Sequence, residues 1–225
     1  LTFSIPDFIS PLYWSHHMQP SLQSSSYRTF LSVAFHAGPV LLALSMIAFT
    51  LQIGMLPSMK ASWVEGILGS FALIFFVPIY LELARQLAST HRRTGLAAMF
   101  TGLFGTVVGF GMEFLRVLEY SLRQRGAGDP VWNAFAADPG GELLAVALFG
   151  PLFPITSIIL GIGFLRAKTL PTWIAASLIV AGIGFPLAQV AEWEWGFRLT
   201  YPVACILWAV ALPSAWRIIS AGGSD

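Results

Sequence analysis

The sequence predicts an all-α fold, a polytopic bundle of six transmembrane helices with no room for a soluble domain. Three observations predict it. Six long apolar stretches fill almost the whole chain. Charged residues are only 10% and hydrophobic ones 56%, whereas a soluble domain carries about 25% charged residues to keep its surface wetted. The polar segments between the stretches are short, with one exception at Arg123–Gly141.

A helix needs about 20 apolar residues to cross the hydrocarbon. This places spans at Thr29–Ile53, Trp63–Leu87, Thr94–Leu122, Glu142–Leu165, Pro171–Trp193 and Gly196–Ile219. Arg123–Gly141, rich in Gly, Asp and Pro, is a polar loop. Short loops make successive helices antiparallel neighbours, the fifth and sixth meeting at the Trp193-Glu194-Trp195 corner. Residues 1–28 carry Pro6, Pro11 and Pro20, which break any long helix, and Phe3, Phe8, Tyr13 and Trp14, which suit a headgroup layer. They form a membrane-surface segment ahead of the transmembrane domain at 29–219, and residues 220–225 form a short tail. A leucine at position 1 fits a segment trimmed ahead of it, and no cleavable signal peptide is recognisable at the front.

Lysine and arginine in short loops set orientation. Arg28, Arg85, Arg92, Arg93, Arg166, Lys168 and Arg217 collect on one side, against Lys60, Arg123, Arg125 and Arg198, plus Arg116 within a span, on the other. Both termini are therefore expected in the cytoplasm. The carboxylates are distributed the opposite way. Glu65, Glu113, Glu119, Asp129, Asp138, Glu142, Glu192 and Glu194 map to the outer half, and only Asp7, Glu82 and Asp225 to the inner.

Proline falls in five of the six spans, and each mid-span proline frees a carbonyl that a neighbour or water must satisfy. The third span lacks proline and carries Gly102, Gly105 and Gly109. These offer a small-residue face for close helix packing, which places this span at the centre of the bundle. A faint internal rhyme joins Phe76-Val-Pro78 in the second span to Gly184-Phe-Pro186 in the fifth, as an inverted repeat would.

The strongest polar constellation is Glu113–Arg116–Glu119. Spacings of three let Arg116 pair with either carboxylate, and the ordinary reading is a structural ion triad, because charges inside a membrane are costly unless paired. Glu113→Gln is then expected to strand Arg116. The functional alternative releases one carboxylate to bind a cation, a proton or a polar headgroup. Glu192, Glu194 and Arg198 lie at the same depth and complete the candidate ion site.

His36 is the only histidine inside a span, a candidate ligand for a pigment or metal if it is more than a hydrogen-bonded packing residue. A bis-histidine haem lacks its second ligand at membrane depth, since His16, His17 and His91 lie outside the spans. Retinal has no span lysine to anchor it. The single Cys205 excludes an iron–sulfur cluster and an intrachain disulfide. No catalytic signature and no metal-ligand motif is readable, and a net charge of +1 gives no pull toward nucleic acid.

The runs Gly150-Pro-Leu-Phe-Pro154, Ile159-Leu-Gly-Ile-Gly-Phe-Leu-Arg166, Leu170-Pro-Thr-Trp173 and Phe114-Leu-Arg-Val-Leu-Glu119 resemble a pattern in uncharacterised bacterial multispan membrane proteins. The resemblance covers spans two to five. It implies a bacterial inner-membrane origin and no activity. The expected function is a non-catalytic integral membrane subunit that packs in or stabilises a larger complex, its partners being the bilayer and other membrane subunits. The alternatives are a small transporter or cation-binding protein using the outer carboxylates, a membrane enzyme on lipid headgroups with Glu113 or Glu192 as base, and a pigment- or lipid-binding protein.

Overall fold

The computed structural model describes residues 25–56, 62–126, 148–190 and 199–222, with a few single positions between 130 and 141. Six helices are described: α1 (Ser25–Thr50), α2 (Trp63–Ala88), α3 (Arg92–Gln124), α4 (Leu152–Ala167), α5 (Thr172–Val190) and α6 (Tyr201–Ala221). The fold is all-α. Four helices, α1, α2, α3 and α6, are long and apolar enough to cross a membrane, which marks this as an integral membrane protein.

Local chemistry sets each boundary. α1 stops at Thr50, short of the expected Ile53, because Gln52 turns left-handed (φ 56°). Its N–H then bonds the Phe49 carbonyl while that of Ile53 bonds Ala48, a Schellman stop made without glycine. α2 begins with a capping box. Ser62 Oγ accepts from the Val64 and Glu65 N–H groups, and the Glu65 carboxylate accepts from Ser62 N–H. α3 has 33 residues, roughly 50 Å of helix. α4 has only 16, roughly 24 Å, because Gly150, Pro151 and Pro154 crowd its start; residues 142–147 of the expected span lie outside the described residues. α6 opens after Thr200, with Pro202 in the first turn where its missing N–H costs nothing.

The helices form a closed ring in chain order. Each packs on the next, α6 returns to α1, and α2 also touches α4 across the ring. The expectation that the third span sits at the centre is corrected by the packing. In the most apolar stretch of α2, 56% of residues are buried, against 28% for α3. α3 stands on the rim with Phe100, Phe104, Val107 and Phe114 exposed. A glycine face records where two backbones meet, which is a pairwise property, and α3 uses its glycines to approach α2 and α4.

Aromatic rings fill the middle of the ring of helices. Phe76 of α2, Phe153 of α4, Phe185 of α5 and Trp208 of α6 pack edge to face or tilted, at centroid distances from 5.1 to 5.8 Å. One polar knot lies among them. Trp208 Nε1–H donates to Ser157 Oγ (3.0 Å), which pairs with the Tyr80 hydroxyl (2.7 Å), and that hydroxyl also donates to the Phe153 carbonyl (3.2 Å). Ser157→Ala would leave the Trp208 donor unsatisfied in an apolar core, an expected loss of about 1–3 kcal/mol. Thermal unfolding of the variant in detergent checks this.

α4 ends at Lys168, which is left-handed (φ 55°, ψ 28°) and whose N–H bonds the Phe164 carbonyl at 2.9 Å. Glycine is the usual residue there, and a side chain in this conformation costs roughly 1–2 kcal/mol.

Candidate functional site

The structure places a buried ion cluster where the carboxyl end of α3 meets the start of α2. The capping box fixes Glu65 in the first turn of α2, where it is fully buried. On α3, Glu113 and Arg116 are one turn apart on the face toward α2. Two glycines of α2 make room for them: a Cβ on Gly66 would lie 2.8 Å from the Glu113 carbonyl oxygen, and one on Gly69 would lie 2.8 Å from the Glu113 carboxyl carbon. The Glu113 carboxylate thus rests directly on glycine backbone.

Arg116 joins the acids. Its Nη1 donates to both oxygens of Glu113 at 2.9 Å and to Oε1 of Glu65. The other oxygen of Glu65 accepts from the Ser62 N–H at 3.2 Å, closing the capping box. Tyr201, in the first turn of α6, sets its hydroxyl within hydrogen-bonding reach of Arg116. Ser45 of α1 donates to the Glu65 carbonyl at 2.9 Å. Four helices therefore meet around two carboxylates and one guanidinium. The Glu65 and Glu113 side chains are 1% and 8% exposed, so Arg116, at 25%, is the side of the cluster that reaches outward.

Of the residues singled out in the sequence, Glu113 and Arg116 come together. Glu119 takes a different partner, Arg123, one turn on (2.8 Å). Glu192, Glu194 and Arg198 lie outside the described residues, as do residues 1–24. His36 is exposed on the outer side of α1, its Nδ1 2.7 Å from the Ser32 carbonyl of its own helix. Gly105 lies tightest of the packing glycines, against the Leu152–Phe153 backbone; Gly102 faces Tyr80 and Thr156, and Gly109 faces Leu73. Among the described residues no group of three His, Cys, Asp or Glu is placed to hold a metal ion.

Sequence reading missed Glu65 as a partner of Arg116, along with Tyr201 and Ser45. The Ser62-x-x-Glu65 spacing announces the capping box but carries no sign of an arginine 51 residues on. Because Arg116 holds Glu65 as well as Glu113, Glu113→Gln leaves it paired, which corrects the expectation that this change strands it.

Opposite this cluster, the other end of the bundle is basic. Arg28, Arg85, Arg92, Arg93, Arg166, Lys168 and Arg217 stand there against one described carboxylate, Glu82, which Arg85 grips with two bonds of 2.8 and 2.6 Å. Comparison with protein-family models found no match, and neither did searches of the curated proteins and of the solved structures.

Proposed function

We propose that this chain is a non-catalytic integral membrane subunit that packs in, or stabilises, a larger membrane assembly. Its six helices all traverse the bilayer. The basic end faces the cytoplasm and a bacterial inner membrane is the setting. The observation that carries this reading is the division of labour in the ring of helices. The interior is spent on packing, with aromatic rings across the middle and the buried acids bound to arginine. The rim helix α3 meanwhile turns Phe100, Phe104, Val107 and Phe114 outward along more length than a bilayer needs.

Gentle solubilisation of the native membrane, native-gel separation and mass spectrometry of the band holding this chain test the reading. Stoichiometric migration with a larger assembly is expected, weakened by Phe104→Ala on the α3 rim. Migration alone, or normal assembly of every membrane complex in a strain lacking the chain, rejects it.

A second reading has one observation in its favour. Two buried carboxylates share a single guanidinium, so the cluster has room for one more positive charge, a proton or a small cation. In proteoliposomes, Glu113→Gln would then abolish cation or proton movement while leaving the protein folded. Unchanged flux would remove this alternative.

A further inference from the structure

We infer that the basic end of the bundle carries a binding site for the phosphate headgroup of an anionic phospholipid. A cleft of about 300 Å³ opens there between the ends of α2, α4 and α6. Its lining is divided in the way a lipid requires. The Thr169 hydroxyl and the second amide hydrogen of Gln86, whose first bonds Glu82 Oε1 at 2.9 Å, supply side-chain donors for phosphate oxygens, while Phe164, Leu170 and Ile219 supply an apolar wall for the start of an acyl chain.

Charge selects the sign of the ligand. Lys168 adjoins Thr169 in the chain and Arg217 adjoins Ile218, which also lines the cleft, and both cations are exposed. Among the described residues neither has a carboxylate within ion-pair distance, and Glu82, the sole described acid at this end, is held by Arg85. Helix dipoles do not reverse this sign. The carboxyl ends of α2, α4 and α6 border the cleft and bring partial negative charge to it, and the amino ends of α3 and α5, three residues past Ser89 and two past Leu170, oppose them in part. The side chains decide the field, and they are positive.

Lys168 is an independent sign. It occupies a left-handed position that glycine fills at lower cost, so the chain keeps a cation next to Thr169, a lining residue of the cleft, against its backbone preference. A lipid rather than a free anion is the fitting occupant, because half of the lining is apolar and the cleft lies at the level where the helices end.

The test is native mass spectrometry of the full chain in detergent, titrated with dioleoyl phosphatidylglycerol or dioleoyl phosphatidylcholine. Phosphatidylglycerol is expected to bind preferentially. Removing the two charges next to lining residues, Lys168→Gln with Arg217→Gln, should weaken it roughly 10- to 30-fold, since each basic residue near an anionic lipid contributes about 1 kcal/mol. Arg92→Gln with Arg93→Gln removes the same charge from the same end at positions not adjacent in the chain to any lining residue, and should change binding less than about twofold if the site is local. Two further variants keep the proposal falsifiable if the double variant folds poorly. Ser89→Trp fills the cleft without changing charge and should expel the lipid. Lys168→Gly should raise the midpoint of thermal unfolding while lowering lipid affinity. Equal weakening by both double variants, equal binding of the two lipids, retention of lipid by Ser89→Trp, or displacement of the lipid by millimolar inorganic phosphate would each overturn the proposal.

Discussion

Arg116→Met is expected to destabilise the protein by about 3–5 kcal/mol, the cost of leaving buried carboxylates without their counter-charge. The effect should be large because a single guanidinium nitrogen serves both acids, one on α2 and one on its own helix. Glu113→Gln removes only one of two partners and should cost far less. Adding Glu65→Gln and Glu113→Gln to Arg116→Met should recover most of the loss, since it removes the stranded charges themselves. Thermal unfolding of the four proteins in one detergent decides the matter. Equal destabilisation by Arg116→Met and Glu113→Gln would mean that Glu65 does not share the arginine. A wild-type midpoint for Arg116→Met would mean that the cluster holds nothing together.

Gly105→Ala carries the second large effect. A Cβ there would lie 2.1 Å from the Phe153 nitrogen and 2.5 Å from the Leu152 carbonyl carbon. Both are backbone atoms, so no rotamer change relieves the clash, and α3 and α4 must move apart. The expected cost is about 3 kcal/mol or more, at the upper end for overpacking. Gly111→Ala, on the same helix, is the matched control. Nothing lies within 4 Å of its Cβ, and the change should stabilise by roughly 0.5–1 kcal/mol through helix propensity. The two midpoints should move in opposite directions. Movement in the same direction would show that α3 and α4 do not pack through Gly105.

These contrasts show what a sequence carries and what it does not. Apolar length located all six helices, because hydropathy is a property of each segment alone. Boundaries failed where the stop was made by backbone rather than by composition. At Gln52 a left-handed residue ends α1 inside a run that still reads as apolar, while the expected start of the sixth span at Gly196 lies outside the described residues. The short α4 was not foreseen either, since the prolines that shorten it look like ordinary kinks. In the candidate site, Glu113 and Arg116 were legible because a spacing of three on a helix brings side chains together. Glu65 was not, because its meeting with Arg116 depends on how α2 and α3 lie against each other. The two glycines under Glu113 lie on α2, and the glycines that drew attention were those of α3.

The closure of the ring has a consequence for biosynthesis. α1 packs against α6, with Phe35 stacked on Trp216 at 5.2 Å and Phe49 against Tyr201 at 6.1 Å. α1 leaves the ribosome before α6 and therefore waits for it before its inner face is covered. Until then Leu31, Phe35 and Met46 have only α2 and lipid beside them. A nascent chain stalled before α6 would be an open arc rather than a smaller bundle, and the membrane's quality-control proteases would meet it in that state.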